Sequence, residues 1–184
     1  MFQYIAFNKP YGVLSQFTCE GGHKGLKPFG FPAGVYPAGR LDHDSEGLLL
    51  LTDDGRFIKK LLSPAFGHTR EYYAQVDGDV TAQAIEAMEK GIVIAGGYKT
   101  RPCRVKRIDD PLFAPRNPPV RYRKSIPTSW ISLTLTEGKN RQVRKMTAAA
   151  GFPTLRLVRT AIGRLVLGDL PAGEWKFIGK SDVF

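Results

Sequence analysis

The chain has 184 residues, 42% of them hydrophobic, and a formal net charge of +10. That length buries one core of ordinary size. No apolar run reaches the roughly 18 to 20 residues of a membrane helix, and MFQYIAFNKP lacks the basic-then-apolar layout of a secretory leader, so a cytoplasmic protein with no membrane partner is expected.

In chain order, residues 2–8 (FQYIAFN) and 12–17 (GVLSQF) read as short strands around a Lys-Pro-Tyr-Gly turn. A glycine- and proline-rich stretch, 21–39, reads as an irregular loop. GLLLLT (47–52) suits a buried strand, and Asp53 or Asp54 then caps a two-turn helix in GRFIKKLLSP. REYYAQVDG (70–78) alternates like a strand, and VTAQAIEAMEKG (80–91) is a helix with Thr81 as cap and Gly91 as stop. Further strands are predicted near 92–96, 100–107, 129–136, 155–160, 162–167 and 174–178. In the helix NRQVRKMTAAAG (140–151), Val143, Met146, Thr147 and Ala150 share one face, and Arg141, Arg144 and Lys145 another. The segment 111–130, with five prolines and four basic residues, is a loop. Many strands and few helices predict an α+β fold with a mainly antiparallel mixed sheet.

The charge is concentrated. Between Arg101 and Arg164 stand fifteen Lys/Arg against three acids, +12, leaving −2 for the rest of the chain. A one-signed field of this kind attracts polyphosphate and points to nucleic acid, with an acidic protein partner or plain solubility as alternatives. Cys19 and Cys103 stand alone without CxxC spacing, which argues against a disulfide framework or a zinc site.

Against this field, GRLDHDSEGLLLLTDDG (39–55) packs in five carboxylates: Asp42, Asp44, Glu46, Asp53 and Asp54. The stretch 42–53 mimics a calcium-binding loop, but four leucines stand where such a loop needs polar groups, and Pro37 and Gly39 break the helix that should enter it. Asp53 and Asp54 fit turn and cap chemistry. Asp42, directly after Arg40-Leu41 and ahead of a buried strand, is expected at the rim of the core. A nearby arginine would keep it ionised there, as a nucleophile or general base requires. His23, His43 and His68 show no ligand spacing, and no metal site is expected.

GRLDHDSEGLLLLTDDG resembles the signature of the A-type pseudouridine synthases, the family named for its member acting on the small ribosomal subunit. FNKPYGVLSQFT (7–18), REYYAQV (70–76), EGKNRQVRKM (137–146) and LPAGEWKFI (170–178) resemble that family's other motifs in the same order. PRNPP (115–119) and RKSIPTSW (123–130) resemble the branch whose substrate is the large ribosomal subunit.

The resemblance implies the pseudouridine synthase fold: one catalytic domain, 1–184, with subdomains near 1–66 and 67–184 sharing a catalytic cleft. Many members carry a small RNA-binding domain ahead of FNKP, and none is expected here. The implied reaction is a cofactor-independent isomerisation of a uridine in ribosomal RNA, through a flipped-out base. Asp42 would be the catalytic carboxylate, Arg144 its guanidinium partner, and Tyr72 the ring that stacks on uracil, where a packed strand tyrosine is the plainer alternative. Arg40 would fill the space the base leaves, or contact a phosphate. Lys139, Arg141 and Lys145 would contact phosphates, the alternative for the last two being a solvated helix face, and Arg121, Arg123 and Lys124 of the proline-rich loop would grip the RNA. The implied partner is a 23S rRNA stem-loop bound by a monomer. An inactive RNA-binding or ribosome-assembly module on the same fold is the competing reading.

Overall fold

A computed structural model describes residues 1–120 and 125–184. Its regular elements are β1 (Tyr4–Lys9), β2 (Tyr36–Pro37), β3 (Glu46–Thr52), α1 (Gly55–Leu62), β4 (Arg70–Asp77), α2 (Ala82–Glu89), β5 (Val93–Ile94), β6 (Tyr98–Lys99), β7 (Arg104–Ile108), β8 (Thr128–Leu135), α3 (Gln142–Ala149), β9 (Thr154–Ile162), β10 (Leu165–Val166) and β11 (Trp175–Phe177). The class is α+β with a mixed, mostly antiparallel sheet, as the pattern of elements predicts. The chain forms two compact units, one of Met1–Arg70 with Val158–Phe184, the other of Glu71–Leu157.

The four leucines organise the first unit. β3 is buried at all seven positions, because a strand covered on both faces is written as a continuous apolar run. β1 pairs with it antiparallel, from Tyr4 opposite Thr52 to Lys9 opposite Gly47. β9 approaches its start in parallel, with Glu46 opposite Val158 and Gly47 opposite Arg159. Only glycine fits at 47: its φ is +99°, and a Cβ there would stand 2.4 Å from the Arg159 carbonyl oxygen. Asp54 then caps α1 by accepting the Phe57 N–H at 2.9 Å. Its other oxygen accepts the Tyr4 hydroxyl at 2.7 Å and faces the Lys180 ammonium at 3.2 Å. These contacts, the Tyr4 hydrogen bond first, hold the Asp54 carboxyl down to about 2.

In the second unit β4, β8 and β7 lie side by side, with β7 and β8 antiparallel. Ala74 and Val76 of β4 and Ile131, Leu133 and Leu135 of β8 close a core with Met88 of α2 and Val143 and Met146 of α3. Thr81 caps α2 through the Ala84 N–H. The predicted faces of α3 hold, with Val143, Met146 and Thr147 buried and Arg141, Arg144 and Lys145 half-buried.

Four predicted strands are not as expected: of 162–167 only Leu165–Val166 forms a separate strand, β10, and the strand predicted near 100–107 begins only at Arg104. Residues 12–17 form no strand: only Val13 makes an isolated bridge, to Lys24. Gly12 turns the chain at φ +80°, and the partners of Leu14 and Gln16 are backbone groups of the irregular loop, Lys24 O and Leu26 N–H. The strand expected over 92–96 shrinks to β5, a two-residue arm paired with β6 across Gly96-Gly97, both at positive φ. The proline-rich loop is anchored by Phe113, whose ring meets Tyr73 and Trp130 at 6.1 and 5.8 Å, while Arg156 lies over it and donates to the Ala114 carbonyl at 3.0 Å. Arg121, Arg123 and Lys124 lie outside the described residues.

Candidate active site

The main chain around Asp42 is held at both sides. Before it, the Ser15 hydroxyl accepts the Leu41 N–H at 2.9 Å and donates to the Leu41 carbonyl at 2.8 Å. After it, the Asp42 carbonyl accepts the Ser45 N–H at 3.0 Å, closing a turn, and Gly12 N–H donates to the His43 carbonyl at 2.7 Å. Asp42 is half-buried and Arg40 exposed. The His43 ring lies on His23 with centroids 4.2 Å apart, which ties the glycine-rich loop to the same turn. The four leucines of the calcium-loop alternative are hydrogen-bonded strand residues, so that loop does not exist. Among the described residues no three His, Cys, Asp or Glu side chains gather around a metal position.

Under this acidic turn sits a cation that sequence reasoning missed. Lys9 is completely buried, and its ammonium donates to the carbonyls of Val13 at 2.8 Å and Pro10 at 3.0 Å. Burial pushes it down to about 7 against the pull of Glu46, Asp44 and Asp42, with Arg159 adding to the push. The signal was present in β1, where Ile5, Phe7 and Lys9 fall on one face at period two, the last of them a lysine on an apolar side. Arg159, 3% exposed, donates from Nε to the Leu48 carbonyl at 2.7 Å and carries its charge into the same region.

The second unit gathers the basic candidates. Arg141 stands just ahead of α3 in the left-handed region, at φ +52°, and the helix begins without a side-chain cap. Arg144, one turn on, donates from Nη1 to the Thr154 carbonyl at 3.3 Å. Lys145 reaches the Asn140 side chain at 3.4 Å, and Lys139, exposed, holds its ammonium 4.7 Å from the Tyr98 ring centre. Tyr72 on β4 is half-buried and packs against the hydrophobic core, so its ring belongs partly to the packing that the plainer alternative foresaw. Sequence reasoning also missed Glu137, buried below this basic group although it is one of only three acids between residues 101 and 164.

The fold and the two loop systems define a class. The sequence pattern of the RNA pseudouridylate synthase family matches residues 3–149. Similar proteins include "Ribosomal large subunit pseudouridine synthase E" of Vibrio parahaemolyticus, 51% identical over 174 residues that cover 95% of this chain and 73% of that protein. The protein of the same name from Xanthomonas campestris pv. campestris is 49% identical, covering 94% and 93%. A solved pseudouridylate synthase superposes over the whole chain and 73% of its own length, with a TM-score of 0.83 at 28% identity. The chain belongs to the RNA pseudouridylate synthase family, enzymes that isomerise uridine in RNA.

Proposed function

We propose that this enzyme converts a specific uridine of large-subunit ribosomal RNA to pseudouridine, with Asp42 as its catalytic carboxylate. The substrate rests on the names of the similar Vibrio and Xanthomonas proteins. The observation that carries the site is the clamped turn: Ser15 on Leu41 and the Asp42–Ser45 turn fix the backbone on both sides of one half-buried carboxylate, at the mouth of a rigid strand. A carboxylate held by packed supports approaches its target without ordering cost at the moment of reaction.

The reaction breaks the uridine N1–C1′ bond and forms a C5–C1′ bond. The C5 hydrogen leaves as a proton and N1 takes one up, so nothing is oxidised and no group donor is required. Asp42 engages the extruded nucleotide, Tyr72 stacks on the base and Arg144 supplies the guanidinium of the reaction, on the strength of the motifs they stand in. Arg40 fills the vacated stack. Lys139, Arg141 and Lys145 neutralise phosphates, as their charge and position on and before α3 favour.

Tritium release from 5-labelled uridine in a 23S rRNA transcript tests the reading. The wild-type chain is expected to release label, and Asp42→Asn to release none while still binding the RNA, because the amide is nearly isosteric and leaves the phosphate contacts alone. Release by the mutant removes Asp42 from the chemistry. No release by the wild type leaves an RNA-binding module.

A further inference from the structure

We propose that Glu137 is a positioning residue for RNA binding: its buried carboxylate holds the loop 138–141 so that Lys139 and Arg141 face the phosphates. This rests on the reading of those two residues as RNA contacts.

The loop is one that would not hold itself. Arg141 occupies the left-handed region, which an L-residue with a Cβ resists, and α3 has no Ser, Thr, Asp or Asn cap to fix its first turn. Gln142 braces the loop from the helix side. Its Oε1 accepts the Lys139 N–H at 2.9 Å, and its Nε2 donates to Glu137 Oε1 at 2.7 Å. The same Oε1 accepts the Arg101 N–H at 2.8 Å, and Oε2 accepts the Tyr98 hydroxyl at 2.6 Å. Glu137 therefore pins the loop to β6, through Tyr98, and to Arg101 just after it, 39 and 36 residues away in sequence. Tyr98 is also the ring under the Lys139 ammonium, so one carboxylate governs both the backbone and the resting place of that lysine.

The carboxylate is built to stay charged. Burial pushes it up, and the hydrogen bonds from Tyr98, the Arg101 N–H and Gln142 outweigh burial, leaving it below the usual glutamate value. Residual exposure is 7%, so Glu137 offers no competing anion at the surface where phosphates dock. It acts through the loop and not by touching RNA.

The test measures binding of a 23S rRNA transcript as a function of salt, with steady-state kinetics, on the full chain and four variants. Arg141→Ala is expected to flatten the plot of log K against log salt by about one unit, the share of one phosphate contact. Glu137→Ala should flatten it by about two, as Lys139 and Arg141 both lose their places, and should raise KM with kcat nearly unchanged. Glu137→Gln should keep most of the wild-type slope: its amide oxygen accepts from Gln142 and the Arg101 N–H, and its amide nitrogen donates to the Tyr98 hydroxyl. Gln142→Leu cuts the link from Glu137 to the Lys139 N–H and should flatten the slope by about one unit, whether or not Glu137→Ala folds. A purely structural role would lower the active fraction and leave slope and KM alone. That outcome, with Arg141→Ala behaving as expected, overturns the positioning role. An unchanged slope in Arg141→Ala instead overturns the RNA-contact reading and the proposal with it.

Discussion

In each of the two units a buried charged group lies beneath a loop of the opposite sign. In the first, Lys9 lies under the acidic turn 42–46; in the second, Glu137 lies under the basic entry to α3. The outcomes differ. Lys9 has three N–H bonds to place and two carbonyl oxygens to receive them, so burial wins and the ammonium falls to about 7. Glu137 receives three neutral donors, with the Arg101 guanidinium 4.0 Å off, and remains an anion. A buried group keeps its charge when the surrounding dipoles saturate it, whatever the sign of the loop above.

The comparison breaks most severely at Gly47, where the acidic turn enters β3. Gly47→Ala puts a Cβ against the Arg159 backbone at a φ that alanine resists. It is expected to cost on the order of 3 kcal/mol in urea unfolding, and an unchanged midpoint would mean that β9 does not approach so closely.

Lys9→Met comes next and sharpens the contrast through pH. Because the folded value near 7 lies below the unfolded one, the unfolded chain binds more protons between them, and wild-type stability rises as pH increases from 7. The slope is at most about 1.4 kcal/mol per pH unit. The variant should lose that rise, and a rise that persists would assign it to another group.

Glu137→Gln should act on the opposite flank and more weakly. A carboxyl held below its unfolded value adds stability above the unfolded value and loses it as pH falls through the folded one. The variant should flatten the acid side of the stability profile below about pH 5, where the unfolded glutamate begins to take up its proton, and leave the alkaline side alone. The smallest effect concerns the thiols. Burial pushes Cys103 up to about 11 while Cys19 is exposed, so a thiol reagent at pH 8 should label Cys19 first. Equal rates would show that the second unit opens readily.

Much of the fold was legible because its signals are local. GLLLLT announced β3, the Asp53-Asp54 pair and Thr81 announced caps that Asp54 and Thr81 make, and Val143, Met146 and Thr147 of α3 are buried where their period placed them. The ends of α3 were less legible: Arg141 carries no cap signal, and the predicted 140–151 became Gln142–Ala149. The strand over 12–17 failed because its residues find loop backbone and the Ser15 hydroxyl finds Leu41, partners that alternation cannot announce. Around the candidate site, the motifs pointed to Asp42 and to the basic residues on and before α3; Lys9, Ser15, Glu137 and Gln142 stand inside the same motifs, but what they hold depends on partners that the motifs do not name.

The amino-acid order alone determined the class of fold, the central strand and the helix caps, since each depends on side chains within a few residues of one another. Tertiary structure alone decided that residues 158–184 return to the N-terminal unit, that Lys9 loses its water, and that Glu137 meets Tyr98 and Arg101. Whether a buried charge survives depends on dipoles delivered from distant parts of the chain, and no local pattern records where those dipoles arrive.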